Sequence, residues 1–191
     1  MNQMCKDLLD QAEHLASWDE KGKPKQANLR RAVSATYYAI FHYLVQKACT
    51  AQLGTGNESE PYRRILARAF DHAQMKQACE SIVTRGKLQN KLGQGFPLSP
   101  LPDEITYIAF TFVRLQEERN HADYNLMDPF HRSDVLHFID LARGAIEYFD
   151  ALSTAYAERD FFLACLWAWK GLDKRVRRRA RVAHATQPTG P

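Results

Sequence analysis

The chain of 191 residues is 45% hydrophobic and 11% aromatic, which is enough to form the core of one domain. Its first residues carry acids and amides where a secretory signal needs a basic start and an apolar stretch. The longest apolar run, FFLACLWAW, is about half of the roughly 20 residues that a membrane-spanning helix requires. The composition therefore predicts a cytoplasmic protein with no export signal and no membrane segment.

The formal net charge of +4 is unevenly placed along the chain. Residues 170–191 hold seven basic residues and one acid, so the rest of the chain is slightly acidic. Clustered arginines attract phosphate backbones because they release condensed counterions, but a frayed and solvated helix end has the same composition. Both interpretations stay open. The arginines that would contact a polyanion are Arg175, Arg177, Arg178, Arg179 and Arg181.

Cysteine and histidine spacing gives no sign of a metal site. The four cysteines form no CxxC pair, and no His or acidic pair has the spacing of a zinc site or of a metalloprotease. We therefore expect no metal and no cofactor, and we interpret the cysteines as buried thiols in a reducing compartment. They are Cys5, Cys49, Cys79 and Cys165.

Apolar residues recur at helical spacing along most of the chain, without the turn motifs of β-hairpins. The first helix is predicted over residues 3–18 and ends before Gly22. The second helix starts near Asn28 and ends at Gly54, because glycine commonly follows a helix terminus. A third segment begins after Pro61, as two short helices or as one bent helix.

Residues 93–104 contain two glycines and three prolines and are predicted to form a loop. The helix that follows starts at Asp103 and ends around Asp128. Ser133, or the residue before it, is predicted to cap a last long helix, which continues through the apolar residues 161–169.

These segments predict an all-α, up-and-down bundle of five to six helices. We assign the bundle to residues 1–158, and a helical extension with a basic, partly disordered tail to residues 159–191. The aromatic stripes of the second and fifth helices most simply pack in the core. His42, which lies in one of these stripes, is then a hydrogen-bonded core residue, and the same interpretation applies to His72 and His137.

Two stretches of the chain resemble the HEPN family of small helical proteins. Residues 29–44, LRRAVSATYYAIFHYL, are similar to the second helix of the family, where basic residues such as Arg31 precede Tyr-Tyr-Ala and an aromatic-His step ends at His42. Residues 118–125, ERNHADYN, are similar to the helix end that carries the family's signature Arg and a following polar residue. With the helix order, the resemblance covers most of the predicted bundle.

The resemblance implies a helical bundle that commonly dimerises and that, in its active members, cuts RNA without a metal. In those members an Arg, a neighbouring polar residue and a His four to six positions further on line a cleft between two protomers. The His would act as acid or base on the ribose hydroxyl and the leaving oxygen, and the Arg would stabilise charge on the phosphorus.

Arg119 and Asn120 match the start of this motif, but Tyr124 stands where the motif has its His. A tyrosine, with a pKa of about 10, is a poor base near neutrality. Here Arg119 is followed by Ala122, Asp123 and Tyr124, and this Arg with Ala-Asp-Tyr resembles a variant of the family motif. His121 lies two positions after Arg119 and is an alternative partner for it.

A second alignment of the motif pairs Arg114 with His121, since six residues separate them. Leu115 follows Arg114 where the motif has a polar residue, so we prefer Arg119. Some family members are silenced when a nucleotidyltransferase partner adds a nucleotide to a tyrosine near the motif His, and Tyr124 is loosely analogous to that tyrosine. The resemblance thus implies RNA or a nucleotide, a partner of this type and a second copy of the chain as the molecules that this protein binds.

Two functions from different classes remain open. The first is a metal-independent endoribonuclease of a toxin–antitoxin or defence system. The second is a non-catalytic helical module that binds RNA, a nucleotide or a partner protein through the same cleft. Apart from the resemblance, Arg119 and Asp123 are four positions apart and would form an ordinary surface ion pair on a helix.

Overall fold

The computed structural model describes residues 2–17, 22, 24–84 and 101–185, with side chains up to residue 172. Within these ranges the chain forms seven α-helices. They are α1 Gln3–Ser17, α2 Gln26–Leu53, α3 Glu60–Ala67, α4 His72–Val83, α5 Asp103–Tyr124, α6 Arg132–Ala151 and α7 Ala157–Ala185, with a 3-10 turn over Asn57–Ser59. The all-α bundle predicted from the sequence is confirmed.

The prediction of five to six helices was too low, because the apolar residues 161–169 do not continue α6. That helix ends at Ala151, and Leu152 after it has an extended backbone. The hydroxyl of Ser153 then accepts a hydrogen bond from the amide of Ala155 at 3.2 Å, a local turn of the kind that competes with helix. A separate helix, α7, starts at Ala157.

The segment after Pro61 forms two short helices, which was one of the two forms predicted. The chain leaves α3 at Arg68, and α4 begins where the carboxylate of Asp71 accepts a hydrogen bond from the amide of Gln74 at 2.9 Å. An aspartate in this position satisfies one of the free amides of a helix start. Asp71 thereby fixes the first residue of α4, which is His72.

Other helix ends differ from the predictions by a few residues. Helix α5 ends at Tyr124 and not near Asp128, because the side chain of Asn125 accepts a hydrogen bond from the amide of Met127 at 3.1 Å and starts a turn. Helix α6 is capped at His131, and Ser133 lies inside its first turn. Gly54 ends α2 as predicted, with a φ of 73° that favours glycine.

Helix α2 lies at the centre of the bundle and packs against α1, α5, α6 and α7. Its buried residues occupy most of its circumference, as expected for a helix that is surrounded by others. The aromatic stripes of α2 and α5 meet in the core through Tyr37 and Phe112, whose ring centroids are 5.6 Å apart. The predicted burial of the four cysteines is confirmed.

The apolar residues of α7 belong to the same core as the rest of the bundle. Phe162 packs against Phe149 of α6, with 5.8 Å between the ring centroids. Gln74 of α4 is buried, and its amide nitrogen donates to the carbonyl oxygens of Leu166 at 3.3 Å and Trp167 at 2.5 Å. These bonds attach α4 to α7.

Candidate functional site

Arg119 lies near the end of α5 and contacts α2. Its Nε is 2.8 Å from Oδ2 of Asp123, its Nη2 donates to the hydroxyl of Tyr38 at 3.4 Å, and its guanidinium lies 5.8 Å from the centre of the Tyr38 ring. The other carboxylate oxygen of Asp123 accepts from the hydroxyl of Ser34 at 3.2 Å. We call Ser34, Tyr38, Arg119 and Asp123 the Arg119 cluster.

Helical spacing explains half of this cluster and packing explains the rest. Arg119 and Asp123 are one turn apart on α5, so the ion pair expected from the sequence is present. Their side chains are only 26% and 29% exposed because α2 covers them. Asn120 accepts from Nη1 of Arg119 at 3.2 Å on the open side. The guanidinium is thus held in one orientation, with neutral partners at both of its terminal nitrogens.

A surface groove of about 400 Å³ between α1 and α2 adjoins the Arg119 cluster. Its walls are apolar in part, and Gln11, Arg31, Ser34 and Tyr38 provide the polar groups. Ser34 and Tyr38 belong to both the groove and the Arg119 cluster. A ligand in the groove would therefore contact Tyr38, which in turn contacts Arg119. The exposed Arg31 also lines the groove.

Two histidines also contact the ring of Tyr38. The ring of His42 stacks on that of Tyr38 at 6.1 Å, and the ring of His72 meets Tyr38 edge-on at 6.1 Å. His72 also stacks on Phe41 at 4.1 Å, and its Nδ1 is 2.5 Å from the hydroxyl of Tyr37. His42 and His72 are both exposed to solvent, so the prediction that they are core residues is wrong.

Both histidines have a pKa below the ordinary value for imidazole. Partial burial of the ring lowers the pKa of His42. For His72, partial burial is again the largest cause, and the positive charge of Arg119 lowers its pKa further. Burial raises the pKa of the Tyr37 hydroxyl, which therefore stays protonated beside His72. Sequence spacing could not predict the contact between Tyr37 and His72, because the two residues lie on different helices.

His121 lies on another side of α5 from Arg119. Its Nε2 is 3.3 Å from Asp128 and its Nδ1 is 3.9 Å from Glu118. Glu118 also pairs with Arg114, whose Nη2 is 2.8 Å from Oε1 of Glu118. Positions 114, 118 and 121 follow one stripe of the helix, so the second motif alignment forms a group of its own around Glu118.

The remaining predicted residues lie at the edges of these two groups. Tyr124 is 79% exposed at the end of α5. Arg31 is exposed on the wall of the groove. The tail arginines fall outside the side chains that the structure describes. The structure therefore brings Arg119, Asn120 and Asp123 together with Tyr38 and His42, and it places Arg114 and His121 elsewhere.

Comparisons with protein-family models, with curated proteins and with solved structures found no match to this chain. Among the described residues, none of the helices is both long enough and apolar enough to span a bilayer. Over the same residues, histidines, cysteines and acids do not gather in any group of three that would hold a metal ion.

Proposed function

We propose that this chain is a HEPN-like protein that binds RNA or a nucleotide at the Arg119 cluster and the adjoining groove. The observation that carries the proposal is the position of Tyr38, whose side chain lines the groove and also contacts the guanidinium of Arg119. A guanidinium matches the geometry of a phosphate, and the groove beside it has apolar walls and polar groups that can contact the rest of a nucleotide. A phosphate-binding group and a pocket are therefore adjacent.

Charge and pocket size also support a nucleotide ligand. The groove volume of about 400 Å³ lies in the range of small-molecule sites. Arg31 adds a second cation at the groove, and Gln11 and Ser34 add hydrogen-bonding groups. Because Asp123 neutralises part of the charge on Arg119, we expect moderate affinity from this site and a separate contribution from the basic tail.

The resemblance extends the proposal to the protein's setting. We propose a cytoplasmic homodimer in which the two Arg119 clusters share one cleft. The 79% exposure of Tyr124 makes its hydroxyl accessible to a nucleotidyltransferase-type partner, which supports modification of this residue.

A second candidate function is metal-independent endoribonuclease activity in a toxin–antitoxin or defence system. Two solvent-accessible imidazoles lie around Tyr38, within contact distance of the ring that Arg119 also contacts. General acid–base groups next to a cation are what phosphodiester cleavage requires in the absence of a metal. This candidate predicts cleavage that survives EDTA and depends on Arg119.

The binding proposal is tested by fluorescence anisotropy with a labelled single-stranded RNA and with a labelled mononucleotide. Arg119→Gln is expected to weaken binding about 10-fold, or about 1.4 kcal/mol, and to reduce the salt dependence by about one phosphate contact. Arg143→Gln is the matched control, because Arg143 is 31% exposed and ion-paired to Glu13 between α1 and α6. It is expected to bind as the unmodified protein does.

The basic tail is tested separately with a chain that ends at residue 172. Loss of the tail is expected to weaken RNA binding at low salt, while the effect of Arg119→Gln persists in the shortened chain. If the shortened chain binds neither RNA nor the mononucleotide, or if Arg119→Gln and Arg143→Gln have equal effects, the proposed site is wrong.

A further inference from the structure

Helix α3 presents two large apolar side chains to solvent. All eight of its residues are at least partly exposed, and the helix rests on the core through Leu66 and Ala67. Tyr62 and Ile65 are 64% and 65% exposed. These two residues are three positions apart, so their side chains are neighbours on one side of the helix, turned away from the bundle. We call Tyr62 and Ile65 the α3 apolar face.

Arginines flank the α3 apolar face. Arg68, the residue after α3, is exposed to solvent. Arg63 donates to the carbonyl oxygens of Gly54 at 2.8 Å and Gly56 at 2.9 Å, and these neutral acceptors leave its positive charge in place. Arg64 is 77% exposed and pairs with the acid one turn before it. The helix therefore combines an exposed apolar pair with an excess of positive charge.

The basic end of α7 begins beside the same part of the molecule. Nζ of Lys170 lies 3.6 Å from Oδ1 of Asp71. Further along α4, Gln74 donates to the carbonyl oxygens of residues 166 and 167, so α4 and α7 are antiparallel. The part of α7 after Lys170 therefore continues past the start of α4. Arg68 precedes Asp71 by three positions, which limits the separation of their backbones to about 11 Å.

Positive charge is concentrated in these two segments. Residues 60–71 hold three arginines and two acids, and residues 170–191 hold seven basic residues and one acid. The whole chain has a net charge of only +4, so the rest of the protein is net negative. Helix α7 continues to Ala185, and at about 1.5 Å per residue its part after Lys170 is about 22 Å long. The protein thus has one extended basic region, and the α3 apolar face adjoins it.

We propose that α3 and the basic end of α7 form a docking surface for an anionic lipid bilayer, with Tyr62 and Ile65 entering the layer below the headgroups. Basic residues attract anionic headgroups, and exposed apolar side chains are buried at the boundary with the acyl chains. Tyrosine is common at this boundary because its ring is apolar and its hydroxyl is polar. The inference goes beyond the proposed function, which gives the α3 apolar face no role.

The aliphatic member of the α3 apolar face favours a lipid surface over a nucleic acid. A nucleic acid gains affinity from cations and from aromatic rings that stack on its bases, and Ile65 provides neither. At the surface of a bilayer, anionic groups lie directly above an apolar layer. Cations beside an exposed isoleucine and tyrosine match that arrangement.

Vesicle flotation tests the proposal with the full chain. Vesicles of phosphatidylcholine with about 30% phosphatidylglycerol are expected to bind the protein at about 0.1 M salt, and vesicles of phosphatidylcholine alone at least about 10-fold more weakly. The double variant Tyr62→Ser/Ile65→Ser is expected to lower the partition coefficient on the anionic vesicles about 10-fold. Leu126→Ser is the matched control, because Leu126 is 77% exposed in a loop that contacts the start of α2. It is expected to bind as the unmodified protein does.

The contribution of charge is tested on the same vesicles. Arg68→Gln is expected to lower the partition coefficient about 5-fold, and a full-length chain with glutamine at positions 177, 178 and 179 about 100-fold. Arg143→Gln is the control, because Arg143 is ion-paired to Glu13 between α1 and α6. Thermal unfolding by circular dichroism checks that each variant keeps the fold of the unmodified protein.

A dye at position 65 distinguishes insertion from adsorption. The four native cysteines are buried, so Ile65→Cys provides an accessible thiol for an environment-sensitive fluorophore. Its emission is expected to shift to shorter wavelength on the anionic vesicles, because the dye enters an apolar layer. The same dye on Leu126→Cys is expected to show no shift.

Three results would overturn the proposal. Equal vesicle binding by Tyr62→Ser/Ile65→Ser and Leu126→Ser would mean that the basic residues alone adsorb to the surface. A full chain that binds single-stranded RNA but not the anionic vesicles would assign the basic end to nucleic acid, and the proposed function would stand. Self-association that Tyr62→Ser/Ile65→Ser abolishes, without vesicle binding, would mean that a second copy covers the α3 apolar face.

Discussion

Removal of residues 159–191 is expected to unfold the bundle, because α7 supplies a large part of its core. Phe162, Leu163, Leu166 and Trp169 are each at most 1% exposed. Full burial of one such side chain contributes about 1.5–3 kcal/mol, so the four together contribute about 6–12 kcal/mol as an upper range. A domain of this size has a total stability of about 5–15 kcal/mol, and the loss is comparable to all of it.

The assay for this prediction is thermal and urea unfolding followed by far-UV circular dichroism, on chains that end at residues 158, 172 and 191. The chain ending at 172 is the control, because it keeps the four buried side chains of α7 and loses the basic residues that follow them in the sequence. It is expected to unfold as the full chain does. If the chain ending at 158 gives a cooperative transition within about 5 °C of the full chain, the energetic reasoning is wrong.

Three further predictions concern stability and thiol reactivity. Tyr43→Phe removes a 2.7 Å hydrogen bond to Asp150 and is expected to lower the free energy of unfolding by about 1.5–3 kcal/mol in urea titrations. Partial burial opposes ionisation of Asp150, but hydrogen bonds from Lys47 and Tyr43 outweigh it and lower the pKa of this carboxyl below its ordinary value of 3.8. The stabilisation is therefore full above pH 3.8 and is lost as pH falls below it. The difference in stability between Tyr43→Phe and the unmodified protein should then shrink in acid. Gly54→Ala is expected to cost about 1–3 kcal/mol in thermal unfolding, because its φ of 73° strains an alanine although no atom lies in the way. Burial raises the pKa of Cys5 to about 11 and of Cys165 to about 12, so both thiols should react with an aromatic disulfide only in the unfolded protein, and rapid native labelling would contradict their placement.

Periodicity and helix-breaking residues made most of the fold predictable. Apolar residues at helical spacing located the long helices, and Gly54 and Asp103 marked one helix end and one helix start correctly. The prediction failed where a polar side chain closes a local turn. Ser153 and Asn125 each do so through a hydrogen bond to a nearby amide, which an apolar pattern does not report.

The candidate site was predictable only where its residues share a helix. The pairing of Arg119 with Asp123 follows from their spacing of one turn, and the sequence analysis included it. The separation of Arg119 from His121 was not anticipated, although two positions on a helix differ by about half a turn in direction. The contact of Tyr37 with His72 depends on how α4 packs on α5 and α7, and no local pattern in the sequence encodes it.

The buried side-chain amide of Gln74 connects the start of α4 to α7. Gln74 lies two residues after His72 in the first turn of α4, so its hydrogen bonds connect that turn directly to the backbone of α7. A displacement of α7 would therefore be transmitted to the first turn of α4 through hydrogen bonds, and any coupling between the two helices would act equally in both directions.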